Sequence, residues 1–211
     1  MTKVKICGIT NSREIGFLNK YLPDYAGFVF AKSRRQVTPE QALELGAGLS
    51  PGIGKVGVFV NHAAKLAAEI AEYAGLDVLQ LHGEEDKSYI DLLRSRLKPG
   101  VEIWRALRIN AGHLPETGIL DRLDIDRVLL DTYVEGTSGG TGICFDWGTV
   151  ARLGIRLPVV LAGGLNPNNV RAAVKQASPY AADVSSGVES EGIKDEQKLC
   201  AFIKAIKGGR I

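Results

Sequence analysis

The 211-residue sequence predicts an α/β protein, a closed (β/α)8 TIM barrel forming a single domain over residues 1–211. Three observations carry this. Eight short apolar runs rich in β-formers alternate with longer stretches of helical period. The runs begin 22 to 32 residues apart, the length of a strand, a turn, a helix and a turn. The G-x-G-x-x-G that an open, doubly wound dinucleotide-binding sheet carries after its first strand is absent. Right-handed crossovers between parallel strands then make the closed barrel the compact solution.

The strands are expected at 4–9, 26–30, 55–60, 78–82, 102–109, 127–132, 159–162 and 182–185. Between strands two and three, Pro39-Glu40-Gln41 begins a helix for which Thr38 is the cap. Tyr89, Leu92, Leu93 and Leu97 set an apolar stripe after strand four. The stretch 108–115 after strand five is the least regular, and its helix is the least defined. Asn166-Pro167-Asn168 reads as another helix start, capped by Asn166. Leu199, Phe202, Ile203 and Ile206 fall on one face of a last helix.

Composition excludes several classes of function. Apolar residues make up 45% of the chain, enough for a sizeable core, and no apolar run approaches membrane-spanning length. A net charge of +2, with no basic run interleaved with aromatics, gives no support for nucleic acid or a membrane surface as partner. The chain opens directly on a strand pattern with no long apolar segment, so a cytoplasmic location is expected. Cys7, Cys144 and Cys200 are widely spaced and odd in number, against a disulfide framework or zinc site. His62, His82 and His113 lack metal-ligand spacing, so no metal is expected.

Chemistry in such a barrel sits at the carboxyl ends of the strands. Cys7, followed by Gly8, ends the first strand, and Asp131 closes Val128-Leu129-Leu130; if both runs are barrel strands, both side chains point into one mouth. A lone strand cysteine is most often a small core residue. A carboxylate ending an apolar strand needs a partner or a task, so a cap or an ion pair is the alternative reading of Asp131. Three glycine-rich segments fall in the last third: Gly136 to Gly142, Ala162-Gly163-Gly164-Leu165 and Ser185-Ser186-Gly187-Val188. Single Gly-Gly pairs usually make turns, but two consecutive strands ending in such turns suit a phosphate, which backbone N–H groups can approach closely. Lys32, Arg34 and Arg35 share one short loop that could grip a carboxylate or simply be solvated. Asp183 on strand eight, Asp146 before the helix of Trp147 and Val150, and His82 at the rim read as structural. Cys200 reads as core, and Cys144 is given no role.

Taken together, Lys5-Ile6-Cys7-Gly8, Gly27-Phe28-Val29-Phe30, Gln80-Leu81-His82-Gly83, Leu130-Asp131, Gly139-Gly140-Thr141-Gly142 with Phe145-Asp146-Trp147, Leu161-Ala162-Gly163-Gly164-Leu165 and Asp183-Val184-Ser185-Ser186-Gly187-Val188-Glu189 run in order over nearly the whole chain. This set resembles the phosphoribosylanthranilate isomerase family of tryptophan biosynthesis. The resemblance implies an Amadori rearrangement of N-(5-phosphoribosyl)anthranilate to 1-(2-carboxyphenylamino)-1-deoxyribulose 5-phosphate, without metal or organic cofactor. It implies Cys7 as general base at the sugar C2 proton and Asp131 as general acid at the ring oxygen. It gives Arg35, with Arg34 as the alternative, to the anthranilate carboxylate, and Gly142, Gly164, Ser186 and Gly187 to the phosphate. The partner is then a small-molecule substrate, and the chain a monomer or homodimer. Asn11-Ser12-Arg13-Glu14 and Gln36 depart from the family pattern without touching the acid or base. In this reading burial raises the pKa of Asp131, and a positive surrounding lowers that of Cys7 from about 8.5. Another phosphosugar barrel, or a noncatalytic barrel that binds a phosphorylated ligand, is the competing reading.

Overall fold

A computed structural model describes residues 1–109, 117–131 and 147–208. Eight parallel strands close into a barrel in chain order, β8 pairing back onto β1. They are β1 Lys3–Cys7, β2 Tyr25–Val29, β3 Gly54–Phe59, β4 Val78–Leu81, β5 Glu102–Arg108, β6 Arg127–Asp131, β7 Val159–Ala162 and β8 Ala181–Val184. All eight expected strands are present, most of them ending a residue or two earlier than the apolar pattern does. β1 stops at Cys7 because Gly8 turns into the left-handed region (φ 80°), and the N–H groups of Gly8 and Ile9 then both donate to the Gly27 carbonyl.

The helices outside the barrel are α1 Ser12–Tyr21, α2 Pro39–Ala47, α3 Ala64–Tyr73, α4 Lys87–Arg94, α5 Thr149–Arg152, α6 Val170–Ala177 and α7 Glu196–Lys207. Thr38 caps α2 as expected, in a capping box completed by the Gln41 side chain. Asn166 caps a turn rather than the regular helix: its side chain accepts from Asn168 N–H, and α6 begins only at Val170. On α4 the inward face is Ile90 and Leu93, whereas Leu92 is exposed, so the stripe read through Leu92 is displaced. Between β5 and β6 the described residues carry one 3-10 turn, Leu120–Arg122. After β8 come a 3-10 turn, Ser186–Val188, and an antiparallel hairpin, β9 (Glu189–Ser190) with β10 (Ile193–Lys194), which the sequence reading lacked.

Strand alternation divides the core into two layers. Val4 and Ile6, Phe28, Val128 and Leu130, and Ala182 and Val184 face outward and pack against the helices. Tyr25, Val56, Val78, Trp104, Ala106, Leu129, Val160 and Ala181 fill the barrel. Its amino-terminal end is plugged. The Tyr25 ring meets Trp104 edge-on, centroids 5.1 Å apart, and the Tyr25 hydroxyl lies 2.7 Å from that of Tyr180, whose ring carries the Arg127 guanidinium at 4.1 Å. No helix among the described residues is long and apolar enough to cross a membrane.

Candidate active site

On β1, alternation puts Lys3, Lys5 and Cys7 on the inner face, with Cys7 highest, at the mouth. Lys5 is fully buried. Its Nζ donates to Asp183 Oδ2 at 2.9 Å across the β1–β8 register, where Lys5 and Asp183 stand side by side. The same ammonium interacts electrostatically with the Cys7 sulfur two residues further along the strand. Burial alone would push Lys5 down, but the Asp183 carboxylate and Cys7 outweigh it and hold the ammonium above the usual lysine value. For Cys7 the balance goes the other way. Burial, helped by the nearby Asp183 carboxylate, pushes the thiol up by more than the Lys5 and Lys194 ammoniums pull it down. The positive surrounding expected at Cys7 is therefore present, but it does not win.

Asp131 ends β6, three strands from β1 by way of β7 and β8. It is not buried as expected: its side chain is 23% exposed. Its Oδ2 lies 3.2 Å from Nε2 of His82, the residue following β4, and the Gln80 side-chain amide lies 3.1 Å from Nδ1 of the same ring. With the Gln80 amide donating to Nδ1, the imidazole proton sits on Nε2 and is donated to Asp131. His82 is thus a hydrogen-bonded rim histidine, and Asp131 Oδ1 has no hydrogen bond among the described residues.

The basic loop after β2 divides its two arginines. The Arg35 stem crosses the end of β1, so close that a Cβ on Gly8 would fall 2.4 Å from Arg35 Cδ. Arg34 instead lies over the β9–β10 turn, with Nη1 3.1 Å from a Cβ built on Gly192. Both bind Glu189, whose carboxylate also takes a hydrogen bond from buried Lys194. Burial pushes Glu189 up, yet the hydrogen bonds from Arg35 and Lys194 bring it down to about 2.

At the ends of β7 and β8, no hydrogen bond among the described residues uses the N–H of Gly164, Ser186 or Gly187. The two loops touch: a Cβ on Gly187 would fall 1.9 Å from the Leu165 carbonyl oxygen, so only glycine lets them approach. Asn169 secures the β7 loop by donating to the Gly164 carbonyl at 3.0 Å. Gly142 and its glycine-rich loop, Cys144, Asp146 and His113 lie outside the described residues. Cys200, expected in the core, is only half-buried on α7. Lys5, Asp183 and Lys194 were missed as site residues. The signal was available at Lys5, because a lysine inside an apolar strand must be paired.

A plugged parallel barrel that gathers a thiol, a carboxylate and unpaired backbone donors at its carboxyl-end rim belongs to the (β/α)8-barrel enzymes, which work at that rim. Residues 4–205 match the family model described as N-(5'phosphoribosyl)anthranilate (PRA) isomerase. The chain belongs to this isomerase family. It is 45% identical over 212 residues to the N-(5'-phosphoribosyl)anthranilate isomerase of Acetivibrio thermocellus, covering 98% of this chain and 96% of that one. Its fold is similar to a crystal structure of phosphoribosyl anthranilate isomerase in complex with reduced 1-(o-carboxyphenylamino)-1-deoxyribulose 5-phosphate (TM-score 0.80, 35% identity, 99% of this chain and 100% of that chain). It is also similar to the structure of mutually generated monomers of the dimeric enzyme from Thermotoga maritima (TM-score 0.81, 37% identity, 99% and 100% coverage).

Proposed function

We propose that residues 1–211 form a single-domain cytoplasmic enzyme of tryptophan biosynthesis that converts N-(5'-phosphoribosyl)anthranilate to the corresponding 1-amino-1-deoxyribulose 5-phosphate by an Amadori rearrangement. The observation that carries the reading is the occurrence of Cys7 and Asp131 at two strand ends of one barrel mouth, in a chain of this family.

The reaction asks for two proton transfers. Asp131, in its protonated form, delivers a proton to the furanose ring oxygen; the C1–O bond breaks, and the anilino nitrogen lone pair forms the C1=N bond of an iminium. The Cys7 thiolate then takes the proton from C2, and the electron pair moves through C1 to neutralise the nitrogen, leaving an enolamine. Its tautomerisation places the carbonyl on C2. His82, held by Gln80, fixes the Asp131 carboxyl so that its other oxygen is presented to the sugar. Lys5 stabilises the Cys7 thiolate when it forms. Gly164, Ser186 and Gly187 offer their N–H groups to the phosphate, with Gly142 as a fourth donor, and Arg35 holds the anthranilate carboxylate. No step requires a metal or an organic cofactor.

Freshly generated phosphoribosylanthranilate is the test substrate. With catalytic amounts of protein and excess chelator, its fluorescence should decay far faster than in buffer, and mass spectrometry should find an isomer of unchanged mass. Decay at the buffer rate with correctly folded protein would refute the activity.

A further inference from the structure

We propose that Glu189 is a positioning residue for substrate binding: one buried carboxylate that aims Arg35 at the substrate carboxylate, in a role that rests on the reading of Arg35 given above. Glu189 stands at the start of β9, just beyond the 3-10 turn that carries Ser186 and Gly187. Its side chain is 4% exposed. It grips Arg35 by two parallel hydrogen bonds, Nε to Oε1 at 2.7 Å and Nη2 to Oε2 at 2.8 Å. This side-on fork fixes the guanidinium plane as well as its place. Nη1 of Arg35 has no hydrogen bond among the described residues, so one edge of the fork is held and another is unspent.

The remaining contacts brace Glu189. Lys194 Nζ donates to Oε1 at 2.7 Å and to the Ser185 carbonyl at 3.2 Å, while Arg34 Nη2 donates to Oε2 at 2.6 Å. Lys198 Nζ donates to the Glu189 carbonyl at 2.7 Å. The Ser185 hydroxyl donates in turn to the Cys7 carbonyl at 3.0 Å. A surface ion pair would leave Arg35 free to swing through its rotamers. A buried carboxylate with both oxygens engaged does not, and that saves the ordering cost when substrate arrives. The short β9–β10 hairpin thereby acquires a purpose: it carries Glu189 and Lys194 as paired residues and presents their side chains behind Arg35.

The test is a double-mutant cycle read by binding. The probes are reduced 1-(o-carboxyphenylamino)-1-deoxyribulose 5-phosphate, which carries the substrate's carboxylate, and inorganic phosphate, which does not. Glu189→Gln should weaken the reduced compound at least tenfold and leave phosphate within twofold of wild type. In an Arg35→Met background, the same substitution should change binding of the reduced compound by less than twofold. Glu189→Asp, which keeps the charge but shortens the reach, should lie between wild type and Glu189→Gln; it carries the test if the glutamine variant does not fold. Three results would overturn the proposal while sparing the role of Arg35: unchanged or tighter binding by Glu189→Gln, equal weakening of both probes, or equal losses in both backgrounds. Arg35→Met binding the reduced compound like wild type would overturn both.

Discussion

At the scale of single residues, the thiol at the end of β1 is pushed up by burial and by the Asp183 carboxylate and pulled down by two ammonium groups, and the upward push prevails. Cys7 should therefore be a slow nucleophile at neutral pH. In a Cys144→Ser, Cys200→Ser background, the rate of iodoacetamide alkylation should rise with pH to a midpoint above the ordinary thiol value of about 8.5. Lys5→Met should move that midpoint further up, because Lys5 pulls the thiol down; a midpoint that falls or stays put would show that Lys5 does not act on the sulfur. This chemistry was partly legible in the sequence. Cys7 and Asp131 stood out because each ended an apolar run. The ion pair between Lys5 and Asp183 did not, since it joins residues at opposite ends of the chain that only barrel closure brings together.

At the scale of elements, strands and caps were readable wherever the information is local. Period-2 alternation and the Thr38 box each need only a few adjacent residues. The inner face of α4 was misplaced because Leu92 and Leu93 offer two adjacent stripes, and only contact with the barrel selects Leu93. The β9–β10 hairpin was hidden for a different reason. Its two-residue connection, Glu191-Gly192, has both φ angles positive, at 52° and 85°, a turn in which the usual first residue is asparagine. Glutamate there is strained and sends no turn signal. Glu191→Asn should relieve that strain and raise stability by roughly 0.5–1 kcal/mol in urea unfolding. A loss of stability would mean that the Glu191 side chain contributes more to the folded state than its backbone strain removes.

At the scale of the molecule, the barrel is closed at one end by aromatic and cationic side chains and bound at the other by buried ion pairs. The ion pairs make acid stability depend on Glu189. Its folded pKa of about 2 lies below its ordinary value of 4.5, so between these values the unfolded chain binds the proton more readily. The stabilisation is complete above the ordinary value and is lost as pH falls through the folded one, amounting to about 3 kcal/mol in all. Urea unfolding of wild type and Glu189→Gln should show a wild-type advantage at pH 6 that shrinks steadily toward pH 2.5. An advantage constant with pH would contradict the linkage. That chemistry is to be sought at the carboxyl ends of the strands was expected from fold class alone.

The proposed mechanism stands on Cys7 and Asp131 acting as the base and acid of one site. It is tested most directly by the fluorescence decay of phosphoribosylanthranilate with wild type beside Cys7→Ala and Asp131→Asn, each confirmed to be folded and to bind inorganic phosphate. Both variants should fall by at least about a hundredfold in kcat, the usual range for removing a general acid or base. A variant that turns over within a fewfold of wild type would contradict the role given to that residue.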